Sequence, residues 1–162
     1  MKLYIMRHGQ AQPVAPSDKE RVLTETGRQE SLIMTKWLAK HQTNFDLTFV
    51  SPYLRALETF EIASQIIENK PQHHVLEELT PDSSPETCGD TLLAYCAQIK
   101  ATSALVVSHL PLVGLLVADL CKGAIMPSFT TSSIACVELD LENWQGELLW
   151  HESYQDVVSS TL

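Results

Sequence analysis

The chain has 162 residues, 44% of them hydrophobic and 19% charged, with a formal net charge of −9. That is the profile of one ordinary globular domain, residues 1–162, too short for two independent cores. The acidic balance excludes a non-specific nucleic-acid binder, which needs a basic face, and it means that an anionic substrate must be captured by a local cationic pocket.

Lys2 to Met6 is short, apolar and suited to a pleated surface, so a buried strand is predicted there. It ends abruptly in Arg7, His8 and Gly9. Gln10 to Arg21 is polar, holds Pro13 and Pro16, and is predicted as a loop. A helix is expected from the cap at Thr24 to about His41, with Ile33, Met34, Trp37 and Leu38 on its inner stripe. Leu47 to Val50 is a second buried strand. After it, Ser51 suits an N-cap and Pro52 a first helical residue, and Ala56, Phe60, Ala63 and Ile67 line the helix face.

Pro71 to Gly89 is polar with three prolines and is expected to be irregular around a short VLEEL segment. Thr91 to Lys100 suits a modest helix and Ala104 to Val107 a third strand. Pro111 again opens a helix. The segment SSIACVELDLENWQGELLWHE suits a hairpin turning through Asn143 to Gly146. Strands and helices alternate, which predicts an α/β fold with a mostly parallel central sheet, helices on both faces and an antiparallel C-terminal hairpin.

Cys88, Cys96, Cys121 and Cys136 are widely spaced with no CxxC pair, as expected of reduced, buried thiols. The N-terminal apolar run is too short for a signal peptide, and no run approaches the length of a membrane helix. A cytoplasmic protein with no membrane or nucleic-acid partner is expected. HExxH, CxxC and Walker-type signatures are missing, so neither a metal nor a cofactor is expected. The adjacent His73 and His74 suit a polar surface loop better than a metal site. His41 suits a helix C-terminus, and His151 falls in the last strand.

Chemistry collects at strand ends. The first strand ends in Arg7 and His8, the second leads into Arg55, and the third ends in Ser108 and His109. If the strands are parallel neighbours, two arginines and two histidines converge at the carboxyl edge, where open α/β sheets bind ligands. Each residue also has a structural alternative. His109 could be a satisfied core histidine, Arg55 could pair with Glu58 or Glu61, and Arg7 could be an exposed strand-end charge. Threefold placement at strand ends favours a shared anion site.

IMRHG, SPYLRALET and VVSHLPLVG, in that order, resemble the signature of the histidine phosphatase superfamily, and within it the SixA-type phosphohistidine phosphatases. LTETG, LEELTP and FTTSSIA extend the similarity over nearly the whole chain. The resemblance implies a phosphoglycerate mutase-like sandwich, with His8 as nucleophile, Arg7 and Arg55 gripping phosphoryl oxygens and His109 completing the pocket. Arg21 matches a position that adds a basic contact to the substrate. The implied reaction is metal-independent removal of phosphate from a histidine-containing phosphotransfer domain, through a phosphohistidine on His8, by a monomeric enzyme.

A broad-specificity phosphomonoesterase or mutase of the superfamily would keep the same four residues; a non-catalytic phosphate-binding module is a more distant alternative, disfavoured because the candidate nucleophile and both arginines are present. The stretch between Arg55 and His109 is consumed by predicted elements and leaves no segment for a lid, which suits a phosphate displayed on a protein. Imidazole is also an undemanding leaving group, because it takes a proton near neutral pH. The only general acid that the family resemblance places is Glu78, with Glu77 beside it, and a plain surface carboxylate is at least an equal alternative.

Overall fold

The computed structural model describes residues 1–161. Its centre is a six-stranded sheet in the order β3-β2-β4-β1-β5-β6. The strands are β1 (Lys2–Arg7), β2 (Leu47–Val50), β3 (Gln72–Val75), β4 (Ser103–Ser108), β5 (Ile134–Asp140) and β6 (Gln145–Glu152). The first four run parallel, whereas β5 is antiparallel to β1 and β6 to β5.

Alternation along each strand sorts side chains to two faces. Leu3, Ile5, Phe49 and Val106 bury on one face against α3 (Pro85–Gln98) and α4 (Leu112–Leu120). Tyr4, Met6, Val50 and Val107 bury on the other, against α1 (Glu25–Leu38), α2 (Leu54–Ser64) and α5 (Tyr154–Ser160). The expected three-layer α/β sandwich is present, and the hairpin with it, although it turns through Leu141 to Trp144 and not through Asn143 to Gly146, since Gln145 and Gly146 already belong to β6.

Several boundaries differ from expectation for identifiable reasons. α1 ends at Leu38, before His41, with Ala39 as its C-cap. α3 begins at Pro85, inside the stretch expected to be irregular, because the Ser84 side chain accepts from Thr87 N and Pro85 opens the helix. His73 and His74 lie on strand β3 and not in a loop. His73 stacks on Phe60 and bonds Thr48 Oγ1 through Nδ1 at 2.8 Å, while His74 stacks on Phe49. α5 was not expected at all. It is fixed by a reciprocal capping box between Ser153 and Asp156.

The register of β2, β4 and β1 matters most for function. Val50 pairs with Val107 and Arg7 with Ser108, so the three strands end level. Immediately beyond, the chain after β1 is pressed against the first turn of α1. A Cβ on Gly27 would stand 2.1 Å from Gln10 O, and one on Gly9 would stand 2.5 Å from Gly27 O. Both contacts are with backbone, which cannot swing aside. Gly27→Ala is therefore expected to destabilise the fold by about 2 kcal/mol or more and to lower the melting temperature by several degrees. Thermal unfolding checks this, and an unchanged melting temperature would contradict the close approach.

Candidate active site

His8 is the first residue past β1 and is held on every side. Its N–H donates to Ser108 O at 2.9 Å, and its carbonyl accepts from Ser132 N at 3.1 Å. Gly9 N donates to Thr59 Oγ1 at 3.0 Å, which ties the turn to α2. The imidazole is 6% exposed. Its Nδ1 lies 2.6 Å from Gly9 O and its Nε2 lies 3.2 Å from Arg55 Nε. A carbonyl can only accept and a guanidinium can only donate, so the proton sits on Nδ1 and the lone pair on Nε2. Burial lowers the pKa of His8 to about 3; the bond to Gly9 opposes this, and the Arg55, Arg7 and Arg21 cations add to it. The ring is neutral at physiological pH, with Nε2 unprotonated.

Arg55 sits in the first turn of α2, 4% exposed. Its NH1 donates to Asp18 O at 2.6 Å and its NH2 to Asp18 Oδ2 at 3.0 Å. It does not pair with Glu58, which instead binds Arg28 and accepts from Leu23 N. The guanidinium also lies over the Tyr53 ring, 5.1 Å from its centroid. Asp18, in a short 3-10 turn of the loop after His8, holds Arg21 as well, with Arg21 NH1 on Oδ1 at 2.9 Å. Its carboxyl is held below the ordinary carboxylate range, first by Arg21 and then by Arg55.

Arg7 donates through NH1 to Phe129 O at 2.9 Å, while its buried Nε finds no partner. His109 follows β4 and is fully buried, with its ring centroid 5.0 Å from that of His8. Its Nδ1 is a second buried atom without a partner. Buried polar atoms without partners are rare in folded proteins, and these two stand beside His8.

Arg7, His8, Arg55 and His109 thus come together as the sequence suggests. Arg21 stands one step out, bonded to Asp18 and to Gln12 O, and reaches His8 through its field. Glu78 shares no hydrogen bond with this group and lines a shallow cavity with Glu77, Ser83, Ser84 and Thr87. The hydroxyl run from Thr130 to Ser133 buttresses the end of β1, with Ser133 O accepting from Arg7 N and Ser132 Oγ 2.9 Å from Ser31 Oγ. Ser51 is not a helix cap: α2 starts at Leu54, and the Ser51 hydroxyl faces His109. Asp18 escaped the sequence reading altogether, although an acid three residues before Arg21 in a polar turn is a usable ion-pair signal.

A neutral imidazole set among guanidinium groups at the carboxyl edge of a parallel sheet has the charge and the free ring nitrogen that a phosphate-like oxyanion would meet. The chain belongs to the histidine phosphatase superfamily, whose branch 1 model matches residues 3–80, and within it to the SixA type. It is 44% identical over 158 residues to phosphohistidine phosphatase SixA of Escherichia coli K12, spanning 94% of each chain. It is 36% identical to the phosphohistidine phosphatase SixA homolog of Haemophilus influenzae Rd, over 94% of this chain and 96% of that one. The structure of the protein histidine phosphatase SixA complexed with tungstate superposes with a TM-score of 0.91 at 41% identity, covering 97% of this chain and 99% of that chain.

Among the described residues no helix is long and apolar enough to cross a membrane, and no three His, Cys, Asp or Glu side chains are grouped to hold a metal ion.

Proposed function

We propose that this chain is a phosphohistidine phosphatase that clears the phosphoryl group from a histidine-containing phosphotransfer domain. The observation that carries the proposal is the His8 ring itself, with its proton committed to Gly9 O and its Nε2 lone pair held against Arg55. In the first step Nε2 attacks phosphorus and the bond from phosphorus to the partner's imidazole breaks; that ring, already protonated on its other nitrogen, leaves as neutral imidazole. Arg55 Nε passes from the lone pair to a phosphoryl oxygen as the new bond forms. Charge spreads over three equatorial oxygens, which Arg7, Arg55 and His109 meet. In the second step water attacks the phosphohistidine, phosphate departs, and Nε2 recovers its lone pair. Exchange of one phosphorus–imidazole bond for another makes the first step nearly thermoneutral.

The absence of any inserted segment between Arg55 and His109 supports a protein substrate. Between Arg55 and His109 the chain forms only α2, β3, a short 3-10 turn, α3 and β4, all parts of the sandwich itself, which leaves no inserted segment for a lid. The rim is the loop from Gln10 to Leu23, where Arg21 supplies a further substrate contact and Val14 is 83% exposed. The four free cysteines are buried, and the site is complete within one chain, which suits a monomer in the cytoplasm.

The test offers the protein a phosphorylated histidine phosphotransfer domain beside a panel of phosphate esters, with and without EDTA. Phosphohistidine should turn over about 100-fold faster or more, because an alkoxide needs a general acid that imidazole does not. The chelator should change nothing. Glu78→Gln should slow the esters far more than phosphohistidine. Comparable rates on both substrates, or equal losses in the variant, would make a general phosphomonoesterase the better account.

A further inference from the structure

The steps above leave one buried hydroxyl unused. Ser51 follows β2 and is completely buried. Its Oγ lies 2.6 Å from His109 Nε2 and accepts a hydrogen bond from Tyr53 N at 3.3 Å. His109 is equally buried, and burial, reinforced by the neighbouring His8 and Arg55, keeps its imidazole neutral. A neutral imidazole carries one proton on one of two nitrogens. With the proton on Nε2, Ser51 would accept it, and both the Ser51 hydroxyl proton and the Nδ1 lone pair would be buried without partners. With the proton on Nδ1, the Ser51 hydroxyl donates to Nε2 while still accepting from Tyr53. Only the Nδ1–H is then left over.

The second arrangement leaves one orphan where the first leaves two. The orphan also differs in kind. A bare lone pair repels an anion, whereas an N–H attracts one. The Tyr53 ring packs edge-on against the His109 imidazole, with centroids 5.2 Å apart.

We propose that Ser51 is a positioning residue whose hydroxyl fixes His109 as the Nδ1–H tautomer, so that the ring donates to an equatorial oxygen of the phosphoryl group on His8. The proposal rests on the phosphoryl-transfer function proposed for the site and adds the residue that prepares one of its donors. Complete loss of one such preorganised donor costs about 100- to 1,000-fold in kcat, and the partial loss that a mixed tautomer brings is expected to cost about 10- to 100-fold.

The test is ring-nitrogen NMR of protein labelled with 15N-histidine, free and bound to vanadate, together with steady-state kinetics of Ser51→Ala and Ser51→Cys. In the wild-type protein His109 should carry its proton on Nδ1 in both states. In Ser51→Ala that tautomer should be lost or mixed, with kcat lowered about 10- to 100-fold and KM changed far less. Ser51→Cys, a weaker donor in the same place, should fall between. A wild-type ring protonated on Nε2 overturns the proposal whether or not the variants fold. So does Ser51→Ala protein that keeps either the wild-type tautomer or the wild-type kcat. The tautomer is read without substrate, so failure on phosphohistidine with the expected ring pattern would count against the substrate and leave the Ser51 assignment standing.

Discussion

Replacing His8 with alanine is expected to lower turnover by about 10,000-fold or more, since the attacking atom itself is removed. The fold should survive, because the backbone bonds around position 8 run through Ser108 O, Ser132 N and Thr59 Oγ1 and do not involve the imidazole. The same variant reads out the buried charge state. In the unfolded chain His8 takes up a proton near pH 6.5, whereas in the folded protein it does so only near pH 3. Between those values the unfolded state holds more protons, so stability rises with pH and is lost as pH falls from 6.5 toward 3. His109 acts in the same direction. Melting temperature should therefore fall with acidification in the wild-type protein and fall less steeply in His8→Ala. Equal slopes would contradict a neutral buried His8.

Arg55→Lys keeps the charge and should still lose about 100-fold or more in kcat/KM. Arg55 uses three nitrogens in three directions: Nε toward His8, NH1 toward the Asp18 carbonyl and NH2 toward its carboxylate. An ammonium group on a flexible stem cannot reproduce that fork. Release of Asp18 should also loosen Arg21, which shares the same carboxylate, so the loop behind His8 should become more susceptible to proteolysis. Near wild-type kcat/KM in the lysine variant would show that the site needs a positive charge and not this geometry.

The part of the molecule that carries the chemistry was the easiest to read from sequence. β1, β2 and β4 are largely buried and appear as mostly apolar runs, with Arg7 ending β1, Ser108 ending β4 and Ser51 following β2. Parallel neighbours with level ends then bring Arg7, His8, Arg55 and His109 together. β3 was missed because it is an edge strand of sequence QHHV, mostly exposed and made by pairing with β2 alone. α5 is seven residues long with one buried side chain, so periodicity carries almost no signal there and its capping box is the main local clue.

At the site, the links between residues were illegible. Nothing in the sequence places Asp18 against Arg55, because the loop from Gln10 to Leu23 is shaped by its contacts with α2 through Glu58. Ser51 was misread as a cap because Ser-Pro is a strong helix-start signal. The hydroxyl is drawn away by a histidine from another strand, which only the sheet order reveals.

The central claim is that His8 Nε2 carries the phosphoryl group during turnover. The most direct measurement quenches the wild-type protein while it is turning over a phosphorylated histidine phosphotransfer domain and maps the trapped phosphate by mass spectrometry under basic conditions. The expected result is an acid-labile, base-stable phosphate on His8, absent from His8→Ala and from protein preincubated with vanadate. A phosphate located on another residue, or steady turnover with His8 never modified, would contradict the account.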